Sequence, residues 1–213
     1  MSDQKFDRPG AIPKEDFRPG IILGAFNGGF QAKHGQFGAM ADGQVALPAR
    51  DGFGTIAIYN DGRVDLGVWG AGIQSSPDIQ AWRQNGPLMV SQGDINPHTA
   101  DIDPQSWGYV FGGGVATFRS GVGLSEDRQT LFFVIGPSLT TGSMAAAMQQ
   151  SGVWNGIQLD INRPWTRFDK AVLEDDKLVP EPAVDGIAVG DYRFFRPYKR
   201  DFFYITVGAP PAS

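Results

Sequence analysis

Two charged residues stand within apolar segments of the sequence. Arg119 alternates with small residues in the run 118–123, and Asp160 ends the apolar run 156–160. Arginine is almost never buried without a partner, so we expect Arg119 to meet either a carboxylate in a structural ion pair or an anionic ligand. Asp160 stands at the end of a predicted core strand, where open sheets place ligand sites. The alternative for Asp160 is a carboxylate that closes a turn or caps a helix.

Polar residues beside a glycine turn form a second candidate site. Asn27 is followed by Gly28 and Gly29 at the end of a strand-like run, and His34 comes a few positions later. Glycines allow a ligand to approach the backbone closely. The alternative is a plain turn in which Asn27 bonds its own loop and His34 is structural.

Three polar residues, Arg83, Gln84 and Asn85, directly precede the predicted strand 87–91. They are candidates for contacts to a ligand, and a solvated loop is the alternative. Asn162, two residues after Asp160, completes the set of candidate binding residues.

The motifs of metal and cofactor chemistry are weak or missing. Three acidic residues, Asp94, Asp101 and Asp103, lie near His98 and resemble a calcium loop loosely, but the EF-hand spacing is absent. We predict no cofactor, and a divalent ion such as calcium stays an open alternative. The chain has no cysteine, which excludes disulfides, thiolate nucleophiles and cysteine-based metal sites. There is no Gly-x-Ser-x-Gly, His-Glu-x-x-His or dinucleotide fingerprint.

Length and composition are those of one globular domain. The 213 residues are long enough to bury a core, and 12% aromatic residues argue against disorder. The net charge of −5 makes a non-specific nucleic-acid binder a poor candidate, because such proteins need a basic face. No apolar run is long enough to span a membrane. The oligomeric state is left open.

The elements that would position these residues are mostly strands. We predict an α+β single domain with a mixed, mostly antiparallel sheet and a few helices, in which residues 1–19 form an extended lead-in, 20–208 the domain and 209–213 a flexible tail. The predicted strands and hairpins are 21–26, 55–59 with 63–69, 87–91, 115–124 with 130–135, 156–160 and 201–207. A helix capped by Ser138 or Thr141 runs to Ser151, a short helix covers 76–82, and 174–184 is a surface loop.

The sequence resembles the phosphodiester glycosidase family over residues 20–207. The motifs that carry the resemblance are Asn-Gly-Gly-Phe at 27–30, Arg-Gln-Asn at 83–85, Pro-Leu-Met-Val at 87–90, Arg-Ser-Gly-Val-Gly at 119–123 and Leu-Asp at 159–160. The lysosomal branch of the family continues this aspartate into a glycine-rich stretch. Here Asp160 is followed by Ile161 and Asn162, as in a bacterial subgroup with a Leu-Asp-Ile-Asn signature.

The resemblance implies a hydrolase that cleaves a sugar–phosphate linkage in bacterial surface glycans, at an extracytoplasmic or cell-surface location. A phosphate monoester, whose second pKa is about 6, leaves readily without a proton, so a strong general acid is dispensable. A carboxylate (Asp160) and an arginine fork that grips phosphate (Arg119) are the residue types required, with Asn27 beside them. The other candidates, Gly28, Gly29, His34, Arg83, Gln84, Asn85 and Asn162, would contact the sugar or the phosphate.

Two other functions stay open. A non-catalytic module would hold an anionic glycan in the same cleft, with Trp82, Trp107 and Trp165 as rings that stack on sugars. A scaffold part of a cell-envelope protein would retain the cleft as a vestige.

Overall fold

The fold is described from a computed structural model, which covers residues 10–101, 103–186 and 191–208. Contacts divide the chain into two compact units. The first unit comprises described residues from 29 to 166, and the second comprises described residues from 10 to 28 and from 167 to 208. The predicted tail 209–213 and the first nine residues of the predicted lead-in lie outside the described residues.

Strands dominate the chain. In order they are β1 Ile22–Asn27, β2 Ala39–Ala41, β3 Gln44–Leu47, β4 Gly54–Tyr59, β5 Val64–Val68, β6 Ile79–Gln84, β7 Leu88–Ser91, β8 Asp94–Ile95, β9 Thr117–Leu124, β10 Leu131–Leu139, β11 Asn155–Ile161, β12 Phe168–Glu174, β13 Lys177–Pro182 and β14 Phe202–Thr206. The helices are α1 Pro104–Trp107 and α2 Thr141–Gln150, with 3-10 turns at Ala32–His34 and Pro97–Ala100.

All pairings between these strands are antiparallel, and they form three sheets. The predicted α+β class holds in its coarse form, since the chain is mainly strand with one long helix. The expected mixture of parallel and antiparallel ladders is not found among the described strands. Within the described residues, no helix is both long enough and apolar enough to cross a bilayer.

The sheet that carries Arg119 and Asp160 lies in the first unit, with strand order β10-β9-β11-β7-β8. Helix α2 connects β10 to β11 and buries Met144 and Met148 in a core cluster with Met89 and Val90. Glycine at position 121 allows this close packing, because a Cβ there would overlap the ends of both helix methionines. The sheet therefore has one face covered by α2.

The second sheet of the first unit has the order β3-β2-β6-β4-β5. Its strand β4 approaches β11, where a Cβ on Gly54 would overlap Ile157. The Asn85 side chain, just after β6, donates to the carbonyl oxygens of Gln158 (2.8 Å) and Leu159 (3.1 Å) on β11. These two hydrogen bonds join the two sheets at β11, directly before Asp160.

The second unit contains the four-stranded sheet β13-β12-β1-β14. Phe26 on β1 lies between Phe168 on β12 and Phe203 on β14, with ring centroids 5.9 and 5.1 Å apart. Part of the predicted lead-in is structured here, because Gly10 bridges Tyr198. Asp16 N and Phe17 N donate to the Pro13 carbonyl (3.1 and 2.9 Å), which adds a turn within the same segment.

Most predicted strands are confirmed, and the helix before β11 is also found. The cap of α2 differs from the prediction: Thr140 accepts a hydrogen bond from Ser143 N (3.0 Å), and Ser143 Oγ accepts from Thr140 N (2.9 Å), a capping box. Neither Ser138 nor Thr141 is the cap residue.

The predicted helix over 76–82 is wrong. Residues from Ile79 onward form β6, which pairs with β4 in register Ala57↔Trp82. Pro77 before a polar-apolar run suggested a helix start, but the buried pairing with a distant strand decides the conformation.

The predicted surface loop 174–184 is also wrong, since it contains β13. Asp175 and Asp176 both adopt positive φ (46° and 61°), as the tight turn of a two-residue hairpin requires. Pro180 and Pro182 suggested a loop, but β13 is an edge strand, where proline is tolerated.

Candidate functional site

Arg119 is a buried cation whose described partners are all neutral. Its Nε donates to the Leu139 carbonyl (3.0 Å), and Nη1 donates to the Trp107 carbonyl (3.1 Å) and to Gln158 Oε1 (2.6 Å). Its Nη2 makes only a long contact of 3.5 Å to the Val115 carbonyl. Arg119 as a whole is 3% exposed. The expected ion pair with a carboxylate is therefore absent among the described contacts of Arg119.

Burial has a measurable consequence for the charge of Arg119. Loss of solvent lowers the pKa of its guanidinium well below its ordinary value, to about 10. The group is still protonated at neutral pH, so a positive charge stays in the interior with no negative partner among the described residues. An anion that reached Nη2 would offset part of this desolvation cost.

Arg119 lines a cavity of about 320 Å³ in the first unit. Trp107, Tyr109 and Val115 form part of the wall, and the first residues of α2, Thr141 and Gly142, form another part. The backbone N–H groups at a helix start lack partners within the helix, and the helix dipole is positive there. Both features add to the attraction that the guanidinium exerts on an anion.

Two carboxylates also belong to this wall, Asp101 and Asp103. Asp101 Oδ2 lies 2.9 Å from His98 Nδ1, and both side chains are largely exposed. Asp103 Oδ2 accepts from Ser106 N (3.1 Å) and Ser106 Oγ (2.6 Å). Across the described ranges, no three His, Asp or Glu side chains are grouped so that they would hold a metal ion.

Asp160 lies on β11, the strand next to Arg119, but it is not part of the cavity wall. It is 7% exposed, and its Oδ1 accepts from Ile161 N at 2.9 Å. Its carbonyl accepts from Ser120 Oγ at 2.8 Å. The register of β11 shifts between Gln158 and Ile161, and Ile161 pairs with Arg119. Arg119 and Asp160 therefore lie on adjacent strands, but only Arg119 lines the cavity.

Asn162 organises the loop that carries much of the cavity wall. It has a left-handed φ of 70° and is 5% exposed. Its Oδ1 accepts from Phe111 N and Thr117 Oγ1 (both 3.1 Å), and its Nδ2 donates to the Tyr109 carbonyl (3.0 Å). The asparagine of the Leu-Asp-Ile-Asn sequence therefore holds the 109–117 loop in place.

Arg83 and Asn85 fix the backbone after the glycine turn. Arg83 Nη2 donates to the Phe30 carbonyl (2.6 Å), and Asn85 Oδ1 accepts from Phe30 N (2.9 Å). Gly29 must be glycine here, because an added Cβ would lie 2.8 Å from Asn85 Oδ1. These bonds join Phe30 to Arg83 and Asn85 within the first unit, and Gly29 packs against both side chains.

The side-chain amide of Gln84 forms hydrogen bonds through both its oxygen and its nitrogen. Its Oε1 accepts from Arg50 N (2.8 Å), and its Nε2 donates to the Arg50 carbonyl (2.9 Å) and to Thr55 Oγ1 (3.1 Å). It supports the backbone of a neighbouring loop. His34 is exposed on the 3-10 turn Ala32–His34.

Asn27 and Gly28 belong to the second unit. Asn27 Oδ1 accepts from Arg167 N (2.9 Å), and its Nδ2 donates to the Gly28 carbonyl (2.9 Å). A Cβ on Gly28 would overlap the carboxylate of Asp201. The glycine at position 28 therefore lets the backbone approach the Asp201 side chain closely.

Sequence reasoning missed a buried ion pair in the second unit. Arg167 Nε lies 2.7 and 2.6 Å from the two carboxylate oxygens of Asp169. Burial raises the pKa of the Asp169 carboxyl, and the bond to Arg167 acts in the opposite direction. The Arg-x-Asp spacing at the start of a strand puts both side chains on one face, and that signal could have identified the pair.

The expectation of surface tryptophans is wrong for two of the three. Trp82 is 6% exposed and Trp107 is 3% exposed, and both lie in core clusters. Trp165 is half-buried. The exposed aromatic residues near the cavity are instead Tyr109 and Phe111.

Comparisons with known proteins agree with the arrangement of strands. The family model for phosphodiester glycosidases matches residues 22–160. No curated protein matches the chain significantly in sequence. The catalytic domain of zebrafish N-acetylglucosamine-1-phosphodiester alpha-N-acetylglucosaminidase, solved in a form auto-inhibited by its pro-peptide, is similar with 15% identity and a TM-score of 0.51.

That alignment covers 88% of this chain and 64% of the zebrafish chain, so this chain spans less than two thirds of that relative. A hypothetical protein from Synechocystis aligns with 12% identity and a TM-score of 0.39, over 81% of this chain and 53% of its own. At 15% identity, the likeness to the zebrafish structure concerns the fold alone.

Proposed function

Because the chain belongs to the phosphodiester glycosidase family, we propose that it hydrolyses a sugar-1-phosphodiester, with Arg119 holding the phosphate. The observation that carries this proposal is the guanidinium of Arg119, which is buried at the wall of a cavity of about 320 Å³ and has only neutral partners in the part of the chain that the structure describes. A phosphodiester brings the missing negative charge. Bacterial surface glycans at an extracytoplasmic location are the substrates we propose.

The proposed reaction breaks the bond between the anomeric carbon and the bridging phosphate oxygen. Water adds to the anomeric carbon, and the phosphate monoester leaves with the bonding electron pair. The monoester is a weak base with a second pKa of about 6, so it departs without a proton from the enzyme. Arg119 stabilises the charge that grows on the phosphate.

Asp160 is the proposed carboxylate of the reaction. It takes the proton of the attacking water, and its charge stabilises the oxocarbenium-like carbon. Its support is its burial and its place on the strand adjacent to Arg119. Asn27 belongs to the second unit, where its side chain holds the backbone at Arg167 and Gly28.

The remaining candidates have a supporting role in this proposal. Arg83 and Asn85 hold the backbone at Gly29 and Phe30, and Gln84 holds the loop at Arg50. Asn162 holds the 109–117 loop. Gly28 allows the turn beside Asn27, and exposed His34 is the one of these candidates whose side chain is open to solvent.

One observation favours a second candidate function, an anionic-glycan-binding module. Asp160 does not line the cavity that Arg119 lines, so a ligand held there would have no described contact with the proposed catalytic carboxylate. Such a module would bind sugar phosphates without turning them over.

Hydrolysis of an α-glycosyl methyl phosphodiester in ¹⁸O-labelled water tests the proposal. The glycosidase reaction places ¹⁸O in the released sugar and none in methyl phosphate. Label in the phosphate would indicate attack at phosphorus, and binding of the diester without products would favour the module.

A further inference from the structure

A short loop beside the Arg119 cavity exposes an unusual amount of apolar surface. Tyr109 is 64% exposed, Phe111 is 60% exposed and Val115 is 48% exposed. Val110, between the first two, is buried in a core cluster with Phe30 and Ile161, which anchors the loop to the first unit. Exposed apolar groups concentrated in this way mark binding surfaces more often than single ones do.

Hydrogen bonds hold this loop in place. Asn162 binds the backbone at Tyr109 and Phe111, and it also binds Thr117 Oγ1 at the start of β9. Arg119 donates to the carbonyl of Trp107, directly before the loop. These hydrogen bonds fix the backbone that carries the apolar side chains. The loop would therefore lose little conformational entropy when a ligand binds.

The apolar surface and the buried cation share one cavity. Tyr109, Val115 and Arg119 all line it, and Phe111 lies on the same loop. A ligand that complements both features has a phosphate for Arg119 and an apolar group for the loop. A sugar alone has polar edges all around its ring and would leave Val115 uncovered.

We propose that the alcohol esterified to the sugar phosphate is apolar, and that it binds against Tyr109, Phe111 and Val115. This inference rests on the proposed function, because it names the leaving-group side of the same phosphodiester. Asn162 is a positioning residue for this subsite, since its side chain holds the loop and not the ligand. The Leu-Asp-Ile-Asn signature would then select the leaving group.

Binding of alkyl phosphates tests the subsite without requiring turnover, because these probes have no glycosidic bond. Calorimetry compares n-hexyl phosphate with methyl phosphate on the full chain. Each buried methylene is worth about 0.8 kcal/mol, or about fourfold in affinity. We expect n-hexyl phosphate to bind at least tenfold more tightly than methyl phosphate.

Substitutions in the loop test whether its exposed side chains cause the preference for n-hexyl phosphate over methyl phosphate. In Phe111→Ser and Tyr109→Ser we expect the ratio of the two affinities to fall severalfold, with the methyl phosphate Kd and the Tm unchanged. Val45→Ser, at a valine 46% exposed on β3, is the matched control and should keep the wild-type ratio.

Equal affinities for the two probes would overturn the proposal, as would an equal loss in Val45→Ser. A ratio near one together with self-association that Phe111→Ser abolishes would assign the surface to a second copy of the chain, and would also overturn it. Failure of the proposed function would be seen separately, as absence of sugar release from the diester while the alkyl preference persists.

Discussion

The guanidinium of Arg119 donates a 2.6 Å hydrogen bond to the amide oxygen of Gln158, two residues before Asp160 on β11. The amide fixes the position of the cation but does not neutralise it. Gln158 Nε2 in turn donates to the Trp107 carbonyl (3.0 Å), which also accepts from Arg119. Strand β11, which carries the proposed catalytic carboxylate Asp160, therefore also positions Arg119, the residue proposed to bind phosphate.

Arg119→Lys tests whether the guanidinium grips phosphate. Lysine keeps the charge but loses the planar fork, so binding of methyl phosphate should weaken by roughly 1.5–3 kcal/mol, the scale of a charged hydrogen bond. Neutral sugars should be affected far less. Calorimetry with both ligands and a thermal melt distinguishes the roles, and equal losses with a falling Tm would show that Arg119 is structural.

The pH dependence of anion binding follows from the charges involved. Arg119, with a pKa of about 10, stays protonated from pH 5 to 9, whereas a phosphate monoester gains its second charge near pH 6. Methyl phosphate should therefore bind more tightly as pH rises from 5 to 7, and then with constant Kd to pH 9. Dimethyl phosphate, a monoanion throughout, is the control and should show a flat profile.

A rise in the dimethyl phosphate Kd over the same range would show that a protein group, and not the phosphate, sets the pH dependence.

Burial of Arg119 also affects stability, because the pKa of its guanidinium in the folded state, about 10, lies below its ordinary value. Unfolding therefore takes up a proton above about pH 10, so this group costs stability at neutral pH and the cost disappears as pH rises from the folded-state pKa to the ordinary one. Saturating phosphate at pH 7 should raise the Tm.

Asn162→Ala should destabilise the fold by about 1–3 kcal/mol, because it removes three part-buried hydrogen bonds, to the backbone of Tyr109 and Phe111 and to the Thr117 hydroxyl. Alanine also fits the left-handed φ of 70° poorly. Asn162→Gly removes the same bonds but accepts that φ, so it should be the less destabilising of the two. Urea unfolding of both variants measures the difference, and a larger loss for glycine would contradict this account of the backbone.

Asp169→Ala should cost about 3–5 kcal/mol, since it leaves the buried Arg167 guanidinium without its closest partner. Glu181→Ala on β13 is the matched control. It removes the exposed partner of Lys170 and should change stability by about 0–1 kcal/mol. A small loss in Asp169→Ala would mean that Asp191, 3.6 Å from Arg167, takes over the pairing.

The strand pattern was predictable where neighbouring residues determine it. The hairpins β4–β5 and β9–β10 follow from apolar alternation around turn residues, and the end of α2 follows from the glycine at 152, whereas its cap at Thr140 was not predicted. β6 was not predictable, because its conformation depends on pairing with a strand more than twenty residues away. β13 was missed because its prolines are tolerated only at a sheet edge, and the sequence does not show which strand is at the edge.

Part of the candidate site was predictable from residue type. A cation in an apolar strand indicated that Arg119 needs partners if it is buried, and the sequence also offered the alternative that Asn27 bonds its own loop, as it does at the Gly28 carbonyl. The structural role of Gln84 could not be predicted from the sequence, since its hydrogen bonds to Arg50 and Thr55 join distant segments. Long-range contacts of this kind leave no local signal.

Sugar release by wild type, Asp160→Asn and Asp94→Asn from an α-glycosyl methyl phosphodiester tests the central claim most directly. Asparagine retains the oxygen that accepts from Ile161 N, so the Tm of Asp160→Asn should stay near that of wild type. Asp94 is an exposed carboxylate on β8 and serves as the control. The account predicts turnover by wild type and Asp94→Asn, with kcat lower by orders of magnitude in Asp160→Asn. Full activity of Asp160→Asn, or absence of turnover by the wild-type protein, would contradict it.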